Sequence, residues 1–383
     1  VLAVTLVRVA CTIPVDVLLP PLVGGYGSIN LFAALVGPPG AGKGASEAAG
    51  HSAIDMRDHL GQLPYVRAQV GSGEGILHTY VKRSKDGVDR IADAALFTVP
   101  EVDALTALGS RQGATLLPTL RSAWIGEQLG FGYADPTRRL TVDAHTYRMG
   151  LILGVQPERA GAIFADTGGG TPQRFLWLPA VDPDAPDIAP PEPEPWNWRR
   201  PAVPKLRTPG HHLIAVCDQA RGDIDADRIA RLRGQTAADD LDSHAMLMRL
   251  KVAATLGALD GRYEVDAEDW RLAGLVMDKS MATRARVEAT LAAAARARSR
   301  AKAVTAGEET ATSEEVAWSR AVDRVLRRAV ERLAGRGWLT IGQVGKLITS
   351  RDRKYLEDAL ARGVEGGQIS VADLGDGDLV YRT

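Results

Sequence analysis

A glycine-rich loop between a short apolar run and a helix-like stretch constrains the fold of this chain most tightly. The run Leu31–Val36 is unbroken, and Gly37–Gly44 follows it with the sequence Gly-Pro-Pro-Gly-Ala-Gly-Lys-Gly. Such a run is typical of a strand that is buried on both faces of a parallel sheet. The residues after the loop are rich in Ala and Glu and predict a helix. Strand, loop and helix in this order form the context in which a P-loop binds phosphate.

The residue types in the loop suit an anion. Glycines let successive backbone N–H groups curl around a phosphate, and the following helix adds the positive end of its dipole. Lys43 supplies a point charge for the β- and γ-phosphates. We therefore expect the loop to hold ATP. The expected contact residues are Gly37, Gly40, Ala41, Gly42, Lys43, Gly44 and Ala45. The alternative is a glycine-rich turn without a ligand, in which a lysine has little structural use.

Gly44 departs from the P-loop pattern. Ser or Thr at this position usually gives a hydroxyl to Mg²⁺, whereas this chain has Gly44, Ala45 and then Ser46. We expect Mg²⁺ to accompany ATP and to take this oxygen from water or from another side chain. Nucleotide binding is therefore better supported than hydrolysis.

Acidic residues follow a second apolar run, Ala94–Val99. Acids at the carboxyl end of a strand beside a P-loop can hold Mg²⁺ or orient the attacking water. Glu101 is the candidate water activator, and Asp103 is the candidate metal partner through water. Pro100 stands where a metal-binding Asp is usual. The alternative is that both acids begin the next helix, where the helix dipole favours them.

Two further candidates come from the next strands. Gln156 follows the apolar run Met149–Val155. In ATPases with a strand inserted between the P-loop strand and the acid-bearing strand, that position senses the γ-phosphate. Arg174 lies between Gly168–Gly170 and another apolar run. An arginine at a strand entrance can reach a phosphate across a subunit boundary, and an ion pair with a local carboxylate is the alternative.

The chain divides by composition into four predicted parts. Apolar runs alternate with helix-like stretches at its start, which predicts an α/β fold with a parallel sheet. A proline-rich connector follows, and Trp196 and Trp198 inside it indicate that it runs along a protein surface. A helical region and a C-terminal region come next, separated by a break rich in Glu and Thr at Ala306–Ser313. The predicted parts are an ATPase domain at 1–180, a connector at 181–210, a helical domain at 211–305, with helices over 212–261 and 266–302, and a C-terminal domain at 314–383.

The C-terminal region has the element order of a winged helix. The expected helices are Glu314–Ala334, Ile341–Ile348 and Ser350–Glu365, and the expected strands are Gln368–Leu374 and Asp378–Arg382, joined across Gly375-Asp376-Gly377. The third helix would be the recognition helix, with Arg351, Arg353 and Lys354 in its first turn as DNA-binding candidates. Winged helices also dock proteins, and that alternative stays open.

The amino-acid composition limits which binding partners and which cellular compartment are expected. The formal net charge is −1, so no global basic field indicates nucleic acid. Cys11 and Cys217 are too far apart for a metal or redox motif, and we expect a reduced, cytoplasmic compartment. Arg8 and Asp16 interrupt the apolar start of the chain, so no membrane segment is expected. The chain starts at Val1 within an apolar stretch, which fits a fragment that lacks an upstream domain.

The order of these motifs resembles that of the DUF3987-type P-loop ATPases of phages, plasmids and integrative elements, which are often joined to, or encoded beside, a primase-polymerase. The resemblance covers roughly residues 1–300. It includes the segment Gly71–Leu77, in which Ser72 and Glu74 fit a family motif. It implies a RecA-like core that works as a ring. It further implies a role for each candidate residue. Lys43 would bind the phosphates, and Glu101 would be the catalytic acid. Gln156 would sense the γ-phosphate, and Arg174 would be an arginine finger that acts on the nucleotide of a neighbouring subunit.

These expectations lead to an ATP-driven DNA helicase or translocase for replication of a mobile element. It would act on DNA as a homo-oligomeric, hexameric ring, with a primase-polymerase as a further partner. The alternative is a slow, nucleotide-switched DNA-binding initiator or loader without unwinding activity, which the lost hydroxyl at Gly44 would allow. A small-molecule kinase is least supported, because the connector and the C-terminal domain have no place in one.

Overall fold

Helices and strands alternate along the first half of the chain. The computed structural model describes residues 1–85, 87–109, 115–130, 140–188, 191–203, 210–235, 244–375 and 378–383. The helices are α1 (Leu2–Thr12), α2 (Lys43–Ser52), α3 (Gly73–Tyr80), α4 (Val102–Gly109), α5 (Leu116–Ile125), α6 (Gly161–Ala165), α7 (Asp218–Leu232), α8 (Ala245–Leu259), α9 (Ala267–Leu333), α10 (Ile341–Leu347) and α11 (Leu356–Glu365).

Most strands are short. They are β1 (Val17–Leu18), β2 (Leu31–Val36), β3 (Ile54–Asp55), β4 (Val66–Gln69), β5 (Val81–Ser84), β6 (Gly87–Arg90), β7 (Ala94–Val99), β8 (Leu129–Gly130), β9 (Thr141–Val142), β10 (Arg148–Val155), β11 (Phe175–Pro179), β12 (Trp196–Asn197), β13 (His212–Leu213), β14 (Ala215–Val216), β15 (Glu264–Val265), β16 (Leu339–Thr340), β17 (Ser370–Asp373) and β18 (Leu379–Arg382). Single 3-10 turns cover Pro157–Arg159, Pro172–Arg174 and Arg353–Tyr355.

A five-stranded sheet with the order β11-β2-β10-β7-β4 forms the centre of the first part of the chain. Every neighbouring pair in it is parallel, so the predicted mixed α/β fold with a parallel sheet is confirmed. β2 and β10 are buried at every residue, as their unbroken apolar sequences require. At one edge, the N–H of Trp177 in β11 donates to Oγ of Ser280 in α9 at 2.8 Å, which satisfies a backbone donor on the outer side of the strand.

α1 is the buried helix of this core. Its residues from Ala3 to Thr12 are all buried, and it packs on β2, β7 and β10 and against α2 and α8. Its apolar sequence therefore reflects a position inside the protein. In the part of the chain that the structure describes, no helix is both long and apolar enough to cross a bilayer.

The chain forms two units, Val1–Ala294 and Ala295–Thr383. The first unit holds the sheet, and the connector packs on it through Trp198, which is buried and donates from Nε1 to the carbonyl oxygen of Leu259 at 2.9 Å. Trp196 pairs as part of β12 with β3, but half of its surface is exposed. Trp198 thus has the covering role expected of the tryptophans in the connector.

Two expectations for the helical region were wrong. The stretch 212–261 begins with β13 and β14, and its described helices are α7 and α8. The expected break at Ala306–Ser313 is helical, because α9 continues through it. Ala and Glu favour helices, and the threonine hydroxyls bond back to carbonyl oxygens four residues earlier, as Thr310 does to Ala306 at 2.8 Å. These threonines therefore satisfy their polar groups without ending the helix.

The second unit contains the end of α9, then α10, α11 and a three-stranded antiparallel sheet with the order β16-β18-β17. Its own apolar core includes Val325, Leu333, Val344 and Leu360. The predicted elements occur in the predicted order, but the first predicted helix is the end of α9 and β16 was not predicted. Asp376 and Gly377 of the expected hairpin turn lie outside the described residues.

Candidate functional site

The loop after β2 is shaped for close approach of an anion. Gly40 and Gly42 have φ values of 77° and 73°, in the left-handed region that side chains disfavour. A Cβ on Gly37 would lie 2.8 Å from the Cβ of Ala41, so the turn itself requires this glycine. α2 begins at Lys43, and the N–H groups of its first turn have no partner within the helix. The loop therefore presents backbone donors and a helix N-terminus at the carboxyl end of a buried strand.

The ammonium group of Lys43 lies against the loop. Its Nζ donates hydrogen bonds to the carbonyl oxygens of Gly37 and Pro38, each at 2.9 Å. The lysine is half-buried, whereas Gly44 and Ala45 beside it are exposed. Charged phosphate oxygens accept stronger hydrogen bonds from an ammonium group than neutral carbonyl oxygens do. Lys43 is thus placed where a phosphate could replace two loop carbonyls as its partner.

Arg8 of α1 fixes the far end of α2. The buried guanidinium donates to the carbonyl oxygens of Gly50 at 2.7 Å, His51 at 3.0 Å and Ile54 at 3.0 Å, and to the hydroxyl of Tyr65 at 3.0 Å. Carbonyl groups at a helix C-terminus lack partners within the helix, and the helix dipole favours a cation there. In the sequence, Arg8 only interrupts an apolar run. Its partners lie at least 42 residues away, so this role was missed.

Glu101 follows β7 at the same edge of the sheet as the loop. β10 separates β7 from β2, with Val155 paired to Val36 and Leu153 paired to Val99. Glu101, two residues after Val99, is therefore level with Val36 along the strands. Two strand spacings, about 10 Å, separate their backbones. The carboxylate is exposed, and a group bound over the end of β10 would lie between it and the loop.

The turn that carries Glu101 packs directly on β10. A Cβ on Gly154 would overlap the carbonyl oxygen of Pro100. Because Gly154 has no side chain, the backbone of Pro100 can lie against the strand. Gly154 therefore sets the position of this turn. The sequence carries no signal for this contact beyond a glycine within an apolar run.

Asp103 lies in the first turn of α4, which begins at Val102. Its carboxylate pairs with the guanidinium of Arg159. This position agrees with the alternative interpretation, according to which the acids after β7 begin a helix. Among the residues that the structure describes, no group of three or more His, Cys, Asp or Glu side chains is placed to hold a metal ion. The metal role of Asp103 stays a prediction.

Gln156 directly follows β10 and lies next to the loop. The N–H of Gly37 donates to the carbonyl oxygen of Val155 at 3.0 Å, which joins the first loop residue to the residue before Gln156. β10 lies between β2 and β7, which is the inserted position that a sensor strand requires. Lys43, Glu101 and Gln156 are thus all at the carboxyl edge of the sheet. Their roles toward a nucleotide stay predictions.

Arg174 lies at the opposite, amino edge of the sheet. It ends the 3-10 turn before β11, whose first residue, Phe175, pairs with Phe32. Arg174 is therefore level with Leu31, and Val36 is about 17 Å further along the strand direction. The arginine serves a different region from the loop of its own chain. A role at a phosphate would have to be played for a neighbouring subunit.

The guanidinium of Arg174 is held by backbone carbonyls. Its Nη1 donates to Gly169 at 3.2 Å and to Gly170 at 2.6 Å, and the group lies 5.7 Å from the centre of the Trp124 ring. Burial and, to a smaller extent, the charge of Arg121 lower the pKa of Arg174. A finger role therefore requires the guanidinium to leave these two carbonyl groups.

The carboxylate beside this loop pairs with a different arginine. Asp166 accepts hydrogen bonds from Arg121 and from the hydroxyl of Thr171. Within the residues that the structure describes, Arg174 contacts the carbonyl groups of Gly169 and Gly170 in place of the local carboxylate that the alternative predicts. Asp166 shapes the loop that surrounds Arg174.

Ser72 has a structural role. Its Oγ accepts a hydrogen bond from the N–H of Gly75 at 2.9 Å, which caps α3. A Cβ on Gly73 would lie 2.6 Å from Oγ1 of both Thr115 and Thr119, so this glycine lets α3 approach α5. The Gly-Ser-Gly-Glu motif is therefore explained in part as the start of a helix that follows β4.

The basic residues before α11 are not in the first turn of a helix, so this expectation was wrong. α11 begins at Leu356, and Arg353 and Lys354 lie in the preceding 3-10 turn. Asp352 is the reason, because its buried carboxylate bonds to Thr349 and to arginines of α9 and thereby shapes a turn at this point. Arg353 donates from Nε to the carbonyl oxygen of Gly345 at 2.9 Å.

Comparisons with protein-family models and with curated proteins give no match to this chain. The resemblance in motif order therefore stays a prediction, and the case for a function depends on the geometry of the chain itself.

Proposed function

We propose that this protein is a P-loop ATPase with a RecA-like core, and that it acts as a DNA helicase or translocase. One observation carries the proposal. The glycine loop at the carboxyl end of β2 leads into α2 with Lys43 at its first residue, and Glu101 and Gln156 follow strands of the same sheet at the same edge. Ligands of open α/β sheets bind at the carboxyl ends of the strands, near the point where strand order reverses. β2 is at that point.

Each residue of the site has its own role toward ATP. Backbone N–H groups of the loop and of the first turn of α2 bind the phosphates, and Lys43 neutralises charge on the β- and γ-phosphates. Glu101 orients the attacking water, and Gln156 contacts the γ-phosphate. The loop fits the nucleotide, because the left-handed φ values and the bare Cα of Gly37 allow the backbone to approach it.

The loop and its neighbours fit Mg²⁺ less well. Gly44 has no hydroxyl, Pro100 has no carboxylate, and the carboxylate of Asp103 already pairs with Arg159. A metal bound with ATP would draw its ligands from phosphate oxygens and water, with Glu101 or Asp103 in contact through water. The roles of Lys43, Glu101 and Gln156 do not depend on the metal.

The position of Arg174 supports the proposal of a ring of identical subunits, which we take to be hexameric. Because this arginine is at the amino edge of the sheet, it serves the nucleotide of a neighbour and completes that site in trans. The winged-helix-like C-terminal unit, with the order α10, α11, β17 and β18, then contacts DNA. A primase-polymerase is a further proposed partner.

The poor fit of Gly44, Pro100 and Asp103 to Mg²⁺ favours a second candidate function. A chain that binds ATP but holds Mg²⁺ weakly would turn over slowly and act as a nucleotide-switched DNA-binding initiator or loader. Unwinding of a forked duplex in the presence of ATP separates the two functions. A helicase releases the displaced strand, whereas a switch binds the fork and leaves it paired.

Subunit mixing tests the shared site. Lys43→Ala and Arg174→Ala proteins are each expected to have little ATPase activity, and mixing them should restore a part of it, because some interfaces then combine an intact loop with an intact arginine. Native mass of each protein confirms that the ring still forms. If no ratio restores activity while both variants assemble, the shared site is contradicted.

A further inference from the structure

An exposed aromatic pair stands on the second unit. Trp318 of α9 has 43% of its surface exposed. Its ring centre lies 4.6 Å from that of Tyr355, with an interplanar angle of 68°. Large aromatic rings are usually buried, and a tryptophan that is nearly half exposed offers flat apolar surface to a partner.

The orientation of the pair is fixed. Nε1 of Trp318 donates to Oδ2 of Asp358 at 2.8 Å, and Tyr355 packs against the apolar core of the unit. The ammonium group of Lys354 lies 4.7 Å from the centre of the Tyr355 ring and 5.9 Å from that of Trp318. A rigid ring loses little conformational entropy when a second flat group stacks on it.

The charge beside the rings is mixed. Lys354 lies against both of them, and Arg351 and Arg353 belong to the same turn, whose Asp352 is buried and paired with two arginines of α9. Acids are present as well, because Glu314 and Glu315 precede Trp318 by one turn of α9 and Asp358 accepts from its Nε1. The turn at 351–354 is therefore the part of this surface that is suited to the phosphates of a polyanion.

The same unit is poorly suited to reading a duplex with α11. The exposed first turn of this helix carries Glu357 and Asp358, which would face the phosphates in a groove. Arg362, the basic residue of its last turn, is paired with Asp323 at 2.7 Å. A strand whose bases are unpaired can instead stack a base on Trp318, where Asp358 already accepts the hydrogen bond of the indole Nε1.

We propose that Trp318 and Tyr355 form a stacking platform for an unpaired base of single-stranded DNA, with Lys354, Arg351 and Arg353 beside it for the phosphates. The inference rests on the proposed action on DNA and specifies the form of DNA that the second unit binds. Base–aromatic stacking tolerates any sequence, since every base has a flat face. The platform therefore suits a protein that moves along DNA.

Equilibrium binding to a fluorescent thymidine oligonucleotide, measured by anisotropy without nucleotide, tests the platform. Trp318→Ala is expected to weaken binding roughly 5- to 150-fold, the range that corresponds to loss of one stacked base. Trp318→Phe, which keeps a flat ring, should retain most of the affinity. Trp338→Ala is the matched control, because this tryptophan of the same unit is 40% exposed and has Arg382 over its ring at 4.5 Å. It is expected to bind within about twofold of the wild type.

The outcomes separate this inference from the ATPase proposal. Equal affinity of Trp318→Ala and Trp338→Ala for the oligonucleotide overturns the platform, as does tighter binding of the wild type to a duplex of the same length. Binding of a fluorescent ATP analogue by the wild type is measured in parallel, and it tests the loop alone. Circular dichroism of each variant shows whether the unit is folded.

Discussion

The carbonyl oxygen of Gly50 accepts a hydrogen bond of 2.7 Å from Nη1 of Arg8, and this contact joins the first helix of the chain to the helix that begins at Lys43. Gly50 also allows the two helices to touch, since a Cβ there would lie 2.6 Å from the Cβ of Val4. The position of Lys43 thus depends on a helix that contributes nothing to the loop.

Arg8→Met is expected to destabilise the first unit by about 2–4 kcal/mol, because buried carbonyl groups at the end of α2 lose their donor. ATP affinity should fall as well, since α2 is then less well fixed. Urea unfolding and titration with a fluorescent ATP analogue measure the two effects. Arg57→Met is the control, because its ion pair with Asp55 is exposed and should be worth less than about 1 kcal/mol. Equal stability of the two variants would contradict the role of Arg8.

Gly154→Ala should lower ATP turnover more than ATP affinity. The added methyl group would overlap the carbonyl oxygen of Pro100 and displace the turn that carries Glu101, while the loop after β2 is unchanged. Steady-state kinetics should show a reduced kcat with a dissociation constant for ATP within a few-fold of the wild type. Gly161→Ala, in α6 with open space around it, is the matched variant. If both variants turn over ATP equally, Gly154 does not position Glu101.

His51 should make the protein less stable in mild acid. Burial and then the charges of Arg8 and Arg67 lower its pKa from 6.5 to about 4. The imidazole is neutral at pH 7, so Glu47 at 3.9 Å is not an ion-pair partner there. Because the folded pKa is below the unfolded one, the unfolded state binds the proton first, and stability falls as pH drops from about 6.5 to about 4.

His51→Gln removes this contribution. The loss of unfolding free energy between pH 7 and pH 4.5 should be smaller in the variant than in the wild type, as measured by urea denaturation at each pH. His59→Gln, at an exposed position, should retain the pH dependence of the wild type. An unchanged slope in His51→Gln would show that this imidazole is protonated as easily in the folded state as in the unfolded state.

The two cysteines should differ in reactivity. Cys11 is buried in α1, and burial raises the pKa of its thiol to about 12, so the reactive thiolate is scarce. Cys217 is half-buried. A disulfide reagent should therefore modify one thiol in the native protein and two in denaturant, and none in native Cys217→Ser. Rapid modification of two thiols in the native wild type would contradict the burial of α1.

Local patterns predicted the parts of the fold that depend on neighbouring residues. The apolar run Leu31–Val36 and the glycines after it were enough to place a buried strand, a tight loop and α2. In the second unit, α10, β17 and β18 were predicted from the local sequence in the same way. These signals are local because steric limits on the backbone act within a few residues.

Long-range contacts explain what the sequence did not show. Arg8 finds its carbonyl partners far along the chain, and Gly154 is needed only because Pro100 packs on it. The continuous α9 and the late start of α11 depend on side chains that satisfy backbone groups, as Thr310 does, or shape a turn, as Asp352 does. Local sequence patterns do not show which distant residue a side chain will contact.

Steady-state ATP turnover of the wild type and of Lys43→Ala, each with and without single-stranded DNA, tests the central claim most directly. The wild type is expected to hydrolyse ATP and to do so faster with DNA. The variant should remain at background under both conditions, with a circular dichroism spectrum like that of the wild type, because the hydrogen bonds of Lys43 within the described residues are to its own loop. Turnover by Lys43→Ala equal to that of the wild type, or a wild type that does not bind ATP, would contradict the account.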